Sequence, residues 1–101
     1  MNRIEQTRAF SGWFDGLRDE TAKKQIAKLI AYAQADHFPD VRSVGRRVSE
    51  MRIHTGPGYR VYFTRRGETL IVLLGGGDKG TQARDIAAAQ ALAAVIHAAE
   101  G

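Results

Sequence analysis

The sequence predicts an α+β domain with one mostly antiparallel sheet, on three observations. Three strand-like runs follow one another between Arg47 and Gly75, separated by Gly56–Pro57–Gly58 and by a turn over 65–68. An amphipathic helical pattern precedes them, and an alanine-rich one follows. Strands grouped in this way, rather than alternating singly with helices, favour antiparallel pairing.

The first element is a strand over Ile4–Phe10, where apolar and polar residues alternate. Ser11 can cap a short helical piece anchored by Trp13, Phe14 and Leu17, which Gly16 weakens. A longer helix follows, capped by Asp19 or Thr21. Its Ala22, Ile26, Leu29, Ile30 and Ala33 form one stripe, with lysines mostly on the other side. Pro39 disfavours helical geometry at Phe38 and ends that segment. Strands are then expected over Arg47–Thr55, Tyr59–Arg65 and Thr69–Gly75. The last, an unbroken apolar run, is expected at the sheet centre, buried on both faces. The segment 75–80 reads as a loop, and from Thr81 a helix with apolar Ile86, Ala89, Leu92, Ala93 and Ile96 closes the chain. The expected order is β-α-α-β-β-β-α in a single domain, residues 1–101.

Composition narrows the function. With no cysteine, disulfides, thiolate metal sites and cysteine catalysis are excluded, and no His/Asp/Glu group has metal-ligand spacing. No apolar signal core or membrane-length run is present, which predicts a soluble, cytoplasmic protein with no membrane partner. Of fifteen cationic residues eleven are Arg; seven of these fall within Arg42–Arg66 against one acid, Glu50, a local net charge of +6. Such a stretch fits nucleic acid or an acidic protein partner. A genome rich in Arg codons would give the same bias.

Alternation places Arg52 and His54 on one side of their strand, and Arg60, Tyr62 and Thr64 on one side of the next. A tight Thr55–Tyr59 connection would pair His54 with Arg60 and Arg52 with Tyr62. The result would be one cationic, aromatic patch flanked by Arg47, Arg65 and Arg66. Like charges facing each other destabilise a sheet, so such a patch points to a ligand. The segment 75–80 lacks phosphate-loop spacing, and Asp78 or Thr81 reads there as a helix cap.

The stretch VSEMRIHTGPGYRVYFTRRGETLIVLLGGGDKGTQARDI, residues 48–86, resembles the RelE/ParE superfamily of type II toxins. Within it, the chain is similar to the HigB-like, phage-derived addiction module killer branch. The N-terminal WFDGLRD and the first long helix match in kind and place. The resemblance implies a RelE-like fold and a toxin of a toxin–antitoxin system. The implied activity is a metal-independent, ribosome-dependent mRNA endoribonuclease. It needs no cofactor. A ribose 2′-OH attacks the neighbouring phosphodiester and leaves 2′,3′-cyclic phosphate and 5′-OH ends.

By the same resemblance Arg60 matches an arginine that stabilises the phosphorane-like transition state, Arg52 a basic position on the preceding strand, and Lys79 a basic residue beyond the last strand. The chain lacks the C-terminal tyrosine that some RelE proteins use. His54 is the titratable stand-in, or a polar residue at a strand end. Tyr62 or Tyr59 is a stacking surface for a base, and Arg47, Arg65 and Arg66 are RNA contacts. The implied partners are a cognate helix-turn-helix antitoxin and mRNA on the ribosome. Two other functions fit the same fold: a ParE-like poison of DNA gyrase, and a degenerate module that only binds antitoxin.

Overall fold

A computed structural model describes residues 1–100. Strand β1 (Arg3–Gln6) is shorter than expected because Thr7 turns the chain. The Thr7 hydroxyl accepts from the Phe10 amide and donates to the Leu73 carbonyl at 2.8 Å, so helix α1 (Arg8–Gly16) starts there and not after Ser11. Helix α2 (Glu20–Gln34) is capped by Asp19, whose carboxylate accepts from the Ala22 amide at 3.0 Å. Its stripe is inward, with Ala22, Ile26 and Ala33 fully buried.

After Pro39 comes a strand not expected from the sequence, β2 (Val41–Gly45), which is exposed along most of its length. Strands β3 (Val48–Ile53), β4 (Tyr59–Arg66) and β5 (Leu70–Gly77) follow. A short 3-10 turn over Lys79–Thr81, capped by Asp78, then leads into helix α3 (Gln82–Ala98). The order is therefore β-α-α-β-β-β-β-α, within the expected α+β class and consistent with a RelE-like fold.

The sheet runs β1-β5-β4-β3-β2, antiparallel except for the parallel β1–β5 pair. The apolar run is buried on both faces, as expected, but β4 and not β5 holds the centre. One face packs Met51, Ile53, Val61, Phe63, Ile71 and Leu73 against α1 and α2 through Phe10 and Ile26. The other packs Val48, Tyr62, Val72 and Leu74 against Ala89 and Ala93 of α3. Both sides of the β3–β4 hairpin are thus covered for much of its length. Gly76 and Gly77 let the helices approach: a Cβ on Gly76 would overlap the Trp13 ring, and one on Gly77 the Asp85 carboxylate. Among the described residues no helix is long and apolar enough to cross a membrane.

Candidate functional site

The hairpin pairs Ile53 with Tyr59, Arg52 with Arg60, and Glu50 with Tyr62. This is two residues away from the expected register, because the connection is the longer 54–58 loop. A shift of two keeps every side chain on its face, so the apolar sets still coincide. The cross-strand partners change, however. Arg52 faces Arg60 instead of Tyr62, and His54 lies beyond the paired region.

Arg60 is fixed from two sides. Its Nη1 donates to the Gly58 carbonyl at 2.7 Å, and its Nε lies 3.8 Å from Glu50 Oε2. That Nε is buried with no hydrogen-bond partner among the described residues, and the side chain is 12% exposed. Lys79 comes to the same corner because its amide donates to the Pro57 carbonyl at 3.4 Å, which sets its Cβ beside Gly58. Arg52, Arg60 and Lys79 therefore gather around the 54–58 loop.

Arg52 is not free, however. Its Nε and Nη2 donate to Asp40 Oδ1 at 3.2 and 3.1 Å, while His54 Nε2 bonds Asp40 Oδ2. The His54 ring is otherwise 72% exposed. The His54 hydrogen bond, and secondarily Arg52, hold the Asp40 carboxyl below its ordinary value of 3.8. The sequence reading did not single out Asp40, since a lone acid after Pro39 carries no spacing signal.

Glu50 is the second residue missed. It is 0% exposed and lies between β2, β4 and α3, accepting from Arg42 Nε at 3.2 Å and from Gln82 Nε2 at 2.8 Å. A signal was available: it is the single acid within Arg42–Arg66.

Tyr62 does not offer a face to a base. Helix α3 covers it, and it is 0% exposed. Burial, then the nearby Glu50 and Asp85 carboxylates, push its phenol well above the ordinary value of 10.0. Its hydroxyl has no hydrogen-bond partner among the described residues. Tyr62→Phe is therefore expected to leave stability unchanged or raise it by up to about 1 kcal/mol in urea unfolding, because a desolvated, unpaired hydroxyl is removed. A loss of more than about 1 kcal/mol would mean that the hydroxyl is satisfied in solution. Tyr59 is half-buried, edge-on to Trp13.

Arg65 and Arg66 lie at the far end of β4, roughly 17–20 Å from Arg60 at ~3.3 Å per residue. Arg65 pairs with Asp36 at 3.2 Å and lies over the Phe38 ring at 5.0 Å. Arg66 pairs with Glu100 at 3.0 Å, and Arg47 approaches the same carboxylate at 3.9 Å. They do not flank the corner of Arg60; they form a second basic region. His97 is there as well and is not exposed as its place in the last turn suggests. Its ring is nearly buried, with Nε2 2.8 Å from Thr64 Oγ1 and Nδ1 3.1 Å from Glu100.

Arg46 and Arg47 form the β2–β3 turn with φ of 54° and 65°, a conformation that favours Asn-Gly. Arg47→Gly is expected to stabilise the domain by about 1 kcal/mol, read as a higher urea midpoint. If Arg47 contacts RNA, the same change weakens RNA binding. Stability and function would then move in opposite directions.

Residues 12–94 match the family described as "Phage derived protein Gp49-like (DUF891)". An uncharacterized protein of Haemophilus influenzae is 41% identical over 91 residues, covering 90% of this chain and 92% of that protein. The family match contains Asp40, Glu50, Arg52, His54, Arg60 and Lys79, and every strand except β1. The chain belongs to the Gp49-like family of phage-derived proteins.

Proposed function

We propose that this chain is the toxin of a toxin–antitoxin pair and that it cleaves mRNA on the ribosome, without a metal. The Gp49-like family is associated with toxin–antitoxin systems and related to the RelE/HigB type, which supports the first half. The observation that supports the second is the cross-strand pairing of Arg52 with Arg60, together with the delivery of Lys79 to the same solvent-reaching corner. Cations set close together on rigid strands suit a dianionic phosphorane, whose charge exceeds that of the ground-state phosphodiester. Arg60 acts as the phosphate clamp. Lys79 supplies a second charge beside Gly58 of the same loop.

The partner in this proposal is a helix-turn-helix antitoxin, and the setting is the cytoplasm. The second basic region, Arg47, Arg65 and Arg66, contacts the RNA or ribosome away from the scissile bond. The test is induced expression in bacteria, followed within minutes by mapping of mRNA 5′ ends. Codon-phased cuts bearing 5′-OH ends are expected. Growth arrest with a DNA-damage response and no cuts would assign the chain to gyrase instead. Neither arrest nor cuts would leave an antitoxin-binding module.

A further inference from the structure

We propose that Asp40 and His54 form the proton-accepting pair of this site, with Asp40 as the positioning residue and His54 Nδ1 as the atom that takes the ribose 2′-hydroxyl proton. The proposal rests on the nuclease reading above. An ionised carboxylate only accepts hydrogen bonds, so the contact with Asp40 Oδ2 requires the proton of His54 to be on Nε2. Nδ1 then carries the lone pair, and among the described residues no side chain hydrogen-bonds to it. The exposed ring gives it access to substrate.

Asp40 is itself held. Arg52 grips Oδ1 through two nitrogens, and the Arg52 amide donates to the Asp40 carbonyl at 3.1 Å. A nucleophile-activating base oriented by a third group is the arrangement this chemistry needs. The other charged groups around the 54–58 loop are Arg60, facing Arg52 across the hairpin, Lys79 beside Gly58, and Asp19, whose Oδ2 lies near Gly56. The depressed Asp40 carboxyl stays ionised throughout the working range of an imidazole base.

The step balances. The 2′-oxygen forms a bond to phosphorus as its proton passes to His54 Nδ1, and Asp40 stabilises the resulting imidazolium. The bond from phosphorus to the 5′-oxygen breaks, and that oxygen takes a proton from water. The hydroxide left is neutralised when His54 releases its proton.

The measurement is single-turnover cleavage of ribosome-bound mRNA by the full chain between pH 5 and 8, for wild type, Asp40→Asn, His54→Gln and Arg60→Ala. Tautomer-sensitive nitrogen NMR of His54 is recorded alongside. Wild type is expected to show a rate that rises with pH along one acidic limb. His54→Gln should lose that limb and about 100-fold in rate. Asp40→Asn should lower the limiting single-turnover rate about 10-fold or more with the half-saturating concentration little changed, and should release the Nε2–H tautomer. A wild-type rate and intact limb in His54→Gln, or an Asp40→Asn effect confined to melting temperature, would overturn the pair while leaving Arg60-dependent cleavage standing. Absence of wild-type cleavage would remove the nuclease reading and the pair together.

Discussion

Arg60→Ala is expected to lower mRNA cleavage by at least about 100-fold and to abolish growth arrest on induction, in line with removal of one preorganised oxyanion donor. The size of the effect follows from how Arg60 is held. Its Nη1 is tied to the Gly58 carbonyl and its Nε is fixed near Glu50, so little rotamer freedom is lost when a phosphate arrives. Arg60→Lys keeps the charge but loses the planar fork and the Gly58 contact; it should resemble alanine more than wild type. The variant should still fold, since Glu50 keeps Arg42 and Gln82. Urea unfolding and co-purification with antitoxin check that independently. Persistent arrest in a folded Arg60→Ala protein, and likewise in Arg52→Ala and Lys79→Ala, would sink the nuclease proposal.

The pattern of charge has to be set against this. Six of the seven arginines between Arg42 and Arg66 lie within 4.0 Å of a carboxylate of Asp36, Asp40, Glu50 or Glu100. Three of those four acids come from outside the basic stretch, where a sequence count of local charge misses them. The pairs made by Asp36, Asp40 and Glu100, which keep part of their surface in solvent, contribute little to stability and are screened by salt, unlike those of the buried Glu50. They do, however, hold long side chains in place before a ligand binds. The basic stretch is therefore two organised corners and not one continuous patch.

What the sequence made legible follows from periodicity. The α2 stripe, the buried run of β5 and the two sides of the hairpin are set by which positions are apolar, and each is in place. The register was legible only modulo two, because a shift by two residues keeps Met51 and Ile53 against Val61 and Tyr59 on the same face. Which arginine faces which was therefore beyond reach. Strand β2 carries no buried face of its own, so it leaves no apolar period to read. The hairpin side containing Arg60 and Tyr62 reads in sequence as an open ligand-facing patch because its cover, α3, is distant in sequence and meets it largely through alanines. Tyr62 and Glu50 are core positions for that reason.

Glu50→Ala should be the most damaging single change to stability, costing about 3–5 kcal/mol, the usual cost of removing one partner from a buried charge pair. Arg42 can swing to solvent, being 56% exposed, but Arg60 cannot follow at 12%, and Gln82 loses its acceptor. Against a typical total of roughly 5–15 kcal/mol, such a loss lowers the thermal midpoint by roughly 15 °C or more. Arg60→Ala in the same background should add less than its separate cost, since the two side chains share one contact. A sharper variant replaces both partners by apolar residues of similar size, Glu50→Leu with Arg60→Met. Buried ion pairs exchanged in this way are often neutral in stability. That protein is expected to melt within a few degrees of wild type and to be inactive. The combination would show that the buried carboxylate is kept to position a guanidinium and not to hold the sheet together. Equal stability with retained activity would reduce Glu50 and Arg60 to a structural pair.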